Sequence, residues 1–418
     1  MESKKVLFVM PRLPFPAFSG RKISLYHYCR ILHDELNCHL TIAAFKETGD
    51  NEKLKPDFID RLVILPKADA REKIRNILTK SLIKGQLPLQ VSLFLSQDAE
   101  KVVQELIKEE KPDIVIGDMV RSIEYIRNAN AYTVADLDDR ISLRYKRQLE
   151  SDIDGINPYG AFLGTVPKPI RKLISLKSVK TSVVKKEIKL LEKYEKEIGK
   201  VCNATVFVAE KEVNTFNKEI GEVKALAVPI GVATEYFFYR ECGKEDNCIG
   251  FLGAMNVAHN ENAVRYFIKD IFPLILNRIP NAKFLVVGGG ASEDLLNLSS
   301  QSVIFTGHVN DVREYLEKCR VFVCPMTFGS GIKTKNLEAM AMGLPVVTTS
   351  IGAENIGAVS GKEWFVEDCD ESFANRVVSL LNNRNLSIET GKKASEYIQK
   401  EWTWEVAKNA LKSIVKRV

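Results

Sequence analysis

The sequence predicts an α/β protein made of two doubly wound, Rossmann-like domains of parallel sheet, and three observations carry that prediction. Short β-branched runs alternate with longer amphipathic stretches from one end to the other, the order that parallel sheets covered by helices on both faces require. The 418 residues, 45% of them apolar, exceed what one core holds and suit two domains of about 150 to 200 residues each. The alternation also pauses and restarts: between Val228 and Asn247 lies a mixed polar stretch with Pro229 and two glycines but no clear period.

In the first half, the strands read Val6–Met10, Leu40–Phe45, Arg61–Leu65, Asp113–Gly117, Thr133–Ala135 and Thr205–Ala209. Helical patterns fit between them, among them Ile23–Glu35, Asp98–Glu110 and Ser182–Lys200. A second series of strands follows at Cys248–Gly253, Lys283–Val287, Val303–Thr306, Val321–Cys324, Pro345–Thr348 and Trp364–Val366, each ahead of a helical pattern. We therefore expect one domain over residues 1–230 and another over 231–400, with the hinge between Val228 and Asn247. A terminal helix from about Glu401 to Val418, opening on Trp402 and Trp404, is expected to pack back on the first domain as a strap. Two such halves imply a cleft between the carboxyl ends of their strands, where open α/β sheets bind ligands.

Composition excludes several classes. With 27% charged residues and 39 glycines and prolines, nothing marks the chain as disordered or collagen-like. The apolar run Val6–Met10 is stopped by Pro11 and Pro14, and no window reaches about 18 uncharged apolar residues, so the expected location is the cytoplasm. Eight dispersed cysteines without a CxxC pair indicate neither a zinc site nor a disulfide framework, and read as small buried hydrophobes. The net charge of +6 is unevenly placed: residues 168–200 hold eleven Lys or Arg against four Glu, a segment of +7. Such a segment suits either a solvated helix face or contact with an anionic membrane surface or a diphosphate-linked substrate there.

The stretch richest in chemistry is Pro325-Met-Thr-Phe-Gly-Ser-Gly-Ile-Lys-Thr-Lys-Asn-Leu-Glu-Ala-Met-Ala-Met-Gly-Leu-Pro-Val-Val347. A buried strand, Val321–Cys324, enters a loop with Gly329 and Gly331. A helix from about Thr334 to Met342 follows, stopped by Gly343-Leu-Pro345. Such a loop brings backbone N–H groups close to a phosphate at the positive end of the helix, and Lys333 and Lys335 add charge there. Glu338 lies one turn further on, among the apolar Ala339-Met340-Ala341, where a carboxylate wants a partner such as the vicinal hydroxyls of a ribose. Met alone, the same pattern also suits a strand–turn–helix whose glycines serve packing.

The segment Leu337-Glu-Ala-Met-Ala-Met-Gly-Leu-Pro-Val-Val347 resembles the signature of retaining glycosyltransferases of the GT-B fold, glycosyltransferase family 4 in particular. Further stretches fall in that family's order: Pro14-Phe-Pro-Ala-Phe-Ser-Gly20, Val228-Pro-Ile-Gly-Val232, Phe251-Leu-Gly253, Phe284-Leu-Val-Val-Gly-Gly289 and Ile304-Phe-Thr-Gly-His-Val309. The form of the loop resembles sugar transferases of envelope polysaccharides. The resemblance implies a donor-binding second domain and an acceptor-binding first domain facing across a cleft. It implies a UDP- or GDP-sugar as donor, a carbohydrate or polyprenyl-diphosphate-linked glycan as acceptor, retention of configuration, and no metal or other cofactor.

Carried over position by position, Glu338 holds the donor ribose, while Gly331, Ile332 and Lys333 lie against the diphosphate. His308 and Val309 flank the base, and Ser19 with Gly20 closes over phosphate or acceptor from the first β–α loop. Gly253, His259 and Ser330 complete the donor-binding set. Two departures stand out. The family's second Glu, eight residues before Glu338, is Ser330 here, and its Arg and Lys after the Phe-Leu-Gly strand fall at Ala254 and His259. Lys333 is therefore expected to stabilise the leaving diphosphate, so that Lys333, Glu338 and Asp118 form the catalytic set, with Asp118 standing where the family often places a His near the transferred sugar.

Other features read more plainly. Asp136, Asp138 and Asp139 resemble a metal-binding patch, but Asp136 or Asp138 is read as the cap of a helix running toward Arg144. His27, His33 and His39 pack in or near the first helix or face solvent. The run Gly288–Gly290 lacks the spacing of a dinucleotide fingerprint and reads as a tight turn near the donor pocket. The sequence leaves two alternatives. A sugar-nucleotide 2-epimerase shares the fold, but the Glu338 loop and the Trp402 region argue against it. A non-catalytic polyanion or nucleic-acid binder would use residues 168–200, where Tyr194 is the one aromatic, too few for base stacking.

Overall fold

The computed structural model describes residues 3–17, 20–47, 49–151, 176–240, 245–329 and 331–418. The chain divides into two compact units, one of residues 1–230 with 405–418, the other of residues 231–404.

The first unit is built on a seven-stranded parallel sheet: β1 (Lys5–Met10), β2 (His39–Ala44), β3 (Arg61–Ile64), β4 (Ile114–Asp118), β5 (Tyr132–Asp138), β6 (Ala204–Phe207) and β7 (Ala225–Ala227). The spatial order is β3-β2-β1-β4-β5-β6-β7, so the winding direction reverses between β1 and β4. Register along that seam runs from Val6 beside Ile114 to Val9 beside Gly117. Five consecutive buried residues in β1 and in β4 show why the strands lack alternation, since helices cover both faces of the sheet. Leu7, Val9, Val115 and Ala135 pack with Val103 and Leu106 of the helix Gln97–Glu110 and with Leu191 and Ile198 of the helix Lys177–Val201.

Local chemistry sets the helix limits. Ser96 accepts the Ala99 amide at the start of Gln97–Glu110, with Asp98 and Glu100 in the positive first turn. The first helix, Gly20–Arg30, opens three residues earlier than its pattern suggests and continues as a π-helical turn, Ile31–Glu35.

The second unit repeats the plan with six parallel strands: β8 (Cys248–Leu252), β9 (Lys283–Val287), β10 (Val303–Phe305), β11 (Val321–Cys324), β12 (Val346–Thr348) and β13 (Phe365–Val366). Their order is β10-β9-β8-β11-β12-β13, with the reversal between β8 and β11. Phe267, Phe272, Phe284 and Phe373 form an aromatic cluster behind this sheet, with ring centroids 4.5 to 6.2 Å apart. Each such ring stabilises by about 1.5–3 kcal/mol through burial.

The terminal helix differs from its expected form. The helix Arg384–Glu401 runs up to Trp402, and a separate helix, Trp404–Val415, follows. The break is stabilised by pairing: Thr403 bridges to Val232, whose amide donates to the Trp402 carbonyl at 2.7 Å. A Cβ on Gly231 would lie 2.2 Å from the Trp404 ring, so this crossing needs glycine. Beyond it, Lys408 pairs with Glu35 at 3.2 Å, and Ala407, Leu411 and Ile414 are buried. Among the described residues no helix is long and apolar enough to cross a membrane.

Candidate active site

In the second unit, the loops that leave β8, β9, β10 and β11 meet at the carboxyl edge of the sheet. The Gly253 amide donates to the Val287 carbonyl at 3.0 Å and the Met255 amide to Gly289 at 2.8 Å, while Gly288 bridges to Gly307. Gly288 has φ +128°, and a Cβ there would lie 2.1 Å from the Gly253 carbonyl oxygen, so glycine alone lets these strand ends approach. The expected turn at Gly288–Gly290 is present, and the His308 Cβ lies 3.2 Å from where a Gly289 Cβ would stand. His308 is exposed and Val309 half-buried on the same rim.

The loop after β11 carries most of the charge. Gly329 and Gly331 both take positive φ, +120° and +73°, which brings the chain round to Lys333 at the start of the helix Thr334–Ala341. Lys333 is 5% exposed, and its Nζ donates to the Gly331 carbonyl at 2.7 Å, so the loop holds its own cation in place. Lys335, also buried, donates to Asn260 Oδ1 and stands over the Phe251 ring at 4.5 Å. Among the described residues it forms no ion pair. Burial lowers its pKa, with Cys324 and Glu338 pulling it back up. A Cβ on Gly253 would lie 2.9 Å from the Lys335 Nζ, so this glycine makes room for the buried ammonium.

Glu338 is half-buried, and its carboxylate has no hydrogen-bond partner among the described residues. Burial pushes its carboxyl up to about 7, against the pull of Lys335. His259, in the helix Ala258–Tyr266, is also half-buried and lies next to Gly329. Burial, then Lys335 and Lys333, lower its imidazole to about 4, so it is neutral near pH 7 and supplies no permanent charge. Gly253, His259, Gly331, Ile332, Lys333 and Glu338 thus share one sheet edge with His308 and Val309. Ser330 lies outside the described residues.

A second cluster occupies the carboxyl edge of the first sheet. Arg21, in the first turn after Gly20, reaches the ends of two strands. Its Nε and Nη2 donate to Asp118 Oδ1 at 3.0 and 2.8 Å, Nη2 meets Asp136 Oδ2 at 2.5 Å, and Nη1 meets Asp138 at 3.1 Å. Asp118 is fully buried at the end of β4, and its Oδ2 has no hydrogen-bond partner among the described residues. One cation thus faces two buried carboxylates and the half-buried Asp138, and burial raises the pKa of both Asp136 and Asp138.

This corrects the helix-cap reading. The Asp136 carboxylate goes to Arg21 and to the Asp138 amide, and Arg144 is paired instead with Asp139. Sequence reasoning missed Arg21, because nothing local announces that a helix-start arginine will meet strand ends about a hundred residues away. Ser19 lies outside the described residues, and Gly20, at φ +44°, begins the helix. Six cysteines are buried as expected, Cys369 is exposed, and no His, Cys, Asp or Glu group suited to a metal appears among the described residues.

Comparison with known proteins gives this geometry a context. Residues 246–383 match the family model described as Glycosyl transferases group 1. An uncharacterized protein of the cps region of Klebsiella pneumoniae is 23% identical over 220 residues, 50% of this chain and 54% of that one. The capsular polysaccharide biosynthesis glycosyltransferase CapM of Staphylococcus aureus is 22% identical over 185 residues, 42% of this chain and 47% of that one. The chain therefore spans about half the length of the curated relatives it matches. The structure of HepE from Anabaena in complex with UDP superimposes with a TM-score of 0.63 at 12% identity, covering 99% of this chain and 100% of that one. Such likenesses show the fold: GT-B, two parallel-sheet α/β units in one chain.

Proposed function

We propose that the protein is a retaining glycosyltransferase of family 4 type, a metal-independent hexosyltransferase of capsular or envelope polysaccharide synthesis. It takes a sugar from a UDP- or GDP-sugar and passes it to a carbohydrate or lipid-linked glycan. The observation that carries this reading is the conjunction of two buried lysines at the start of the helix Thr334–Ala341 with Glu338 one turn on, whose carboxylate has no hydrogen-bond partner among the described residues. The loop amides and Lys333 suit a diphosphate, and the carboxylate one turn on suits the two hydroxyls of a ribose.

As the glycosidic bond breaks, negative charge builds on the diphosphate, and a cation fixed in a water-poor pocket stabilises it without reorganising. A departing phosphate oxygen can then take the proton of an acceptor hydroxyl attacking from the same face, which retains configuration. Family relatives concerned with capsule and the UDP complex of HepE support this reading. The test is a thermal-shift series with UDP, GDP and their common sugar conjugates. A matching ligand at 100 times its dissociation constant is expected to stabilise by about 2.7 kcal/mol. If none of these nucleotides raises the transition temperature, the reading fails.

The same proposal includes peripheral contact with an anionic membrane. Part of the basic segment is described, as the helix Lys177–Val201, and residues 168–175 lie outside the described residues. The Lys186 Nζ donates to the Leu82 carbonyl at 2.9 Å, which ties this helix to the stretch Ala70–Ile83. There Ile74, Leu78, Leu82 and Ile83 are 44 to 78% exposed, at intervals that place the first three on one face. Exposed apolar side chains beside lysines suit an interfacial helix on anionic lipid. In flotation assays the protein is expected to rise with phosphatidylglycerol vesicles but not with phosphatidylcholine ones, and Leu78→Glu with Ile83→Glu should abolish this. Equal flotation by that variant would remove the assignment.

A further inference from the structure

Doubly wound sheets bind ligands at the carboxyl ends of the strands that flank the reversal of winding, and in the first unit those strands are β1 and β4. Each is followed closely by an arginine: Arg12 two residues beyond β1, and Arg121 three residues beyond β4. The turn into Arg121 passes through Met119, a non-glycine residue at φ +57° in the left-handed region. Strain of this kind gathers where a site dictates the backbone.

Among the described residues neither arginine has a carboxylate in contact. The Arg121 guanidinium is held by neutral groups: Nε and Nη2 donate to Gln90 Oε1 at 3.0 and 2.6 Å, and the plane lies 4.7 Å from the Phe94 centroid. Its Nη1 makes no bond among the described residues. Arg12 makes no hydrogen bond or ion pair among them, and its Nε is buried without a partner. Burial and then the charge of Arg12 lower the pKa of Arg121, so the two cations lie in each other's field. Nearby Arg144 is matched by Asp139, and Asp118 is bound to Arg21. Among the described residues these two half-buried like charges have no counter-ion in contact, Asp118 acting on Arg121 only from a distance, and such a pair is disfavoured unless an anion joins it.

We propose that Arg12 and Arg121 form an oxyanion subsite at the winding reversal of the first sheet, taking a phosphate or carboxylate carried by the acceptor. The acceptor assignment rests on the transferase reading above. It narrows the acceptor class to anionic glycans: lipid diphosphates, phosphorylated sugars or uronic acids. Arg121 offers a planar fork with its orientation already fixed, and Arg12 has donors to give.

The test is calorimetric titration of the intact protein, saturated with UDP, with inorganic pyrophosphate in one arm and glucuronate in the other. At least one probe is expected to bind. Arg12→Gln and Arg121→Gln should each weaken it by about tenfold or more, the worth of one charge-assisted contact, with affinity for UDP unchanged. A stronger pyrophosphate arm points to a phosphorylated acceptor, a stronger glucuronate arm to an acidic sugar. If Arg121→Gln fails to fold, Arg12→Gln decides alone, since that side chain has no partner to lose among the described residues. The inference is overturned if both probes bind the variants as they bind the wild type, if neither binds at millimolar concentration, or if the variants lose UDP affinity instead. Absence of binding by UDP, GDP and their sugar conjugates, with Arg12-dependent pyrophosphate binding, would sink the transferase reading and leave the subsite standing.

Discussion

Alanine at Lys333 is expected to slow sugar transfer at saturating donor by about two to three orders of magnitude, the loss typical when one fixed group aimed at developing charge is removed. The expectation follows from what else is available at that sheet edge. Ala254 and His259 occupy the positions where the glycosyltransferases that this sequence resembles carry their cations, and His259, lowered to about 4, is neutral under assay conditions. Lys335 is committed to Asn260 and the Phe251 ring. Lys333 remains, held by the Gly331 carbonyl 2.7 Å away and shielded from water. Steady-state rates should show kcat falling further than donor affinity, because the charge being stabilised grows as the bond breaks. A Lys333→Ala enzyme with a near-normal rate would remove the assignment.

Removal of the Glu338 carboxylate is expected to weaken donor binding by about two orders of magnitude or more, since two hydrogen bonds to a charged acceptor are each worth about 1.5–3 kcal/mol. Its titration adds a signature that a packing role would lack. Burial places the carboxyl at about 7, and only its charged form accepts from both ribose hydroxyls. A nucleotide that favours the charged form must bind less tightly as pH falls through that value. Affinity for UDP should therefore decline between pH 8 and pH 6 in the wild type. In Glu338→Gln that component is absent, while ionisation of the nucleotide affects both proteins alike. Parallel pH profiles for the two proteins, measured calorimetrically, would show that Glu338 does not touch the donor.

The second unit was more legible in the sequence than the first, for a physical reason. Lys283–Val287 and Val321–Cys324 match their strands residue for residue, because strands covered on both faces read as unbroken apolar runs. Gly331, Ile332, Lys333 and Glu338 all fall within eight residues of one loop and helix start, so short-range spacing already groups them. The first unit's cluster is assembled from Arg21, Asp118, Asp136 and Asp138, and spacing says nothing about which of these meet. Asp136 read as a cap because a carboxylate before a helical pattern usually is one, and only the pairing of β4 with β5 sets it beside Asp118. The three-residue strand β7 and the break at Trp402 were likewise illegible, since each depends on a partner segment distant in the chain: Thr205–Phe207 for β7, Val232 for the break.

The break at Trp402 also bears on the order in which the protein comes together. Because residues 405–418 belong with 1–230, the second unit is topologically an insertion within the first. During synthesis the ribosome delivers every strand of both sheets before it delivers Leu411 and Ile414, so the unit begun earliest is the one finished last. Until those side chains arrive, the early unit waits with uncovered apolar surface. A nascent chain released as far as residue 404 should accordingly hold a complete second unit and an unfinished first one, the form on which chaperones would act.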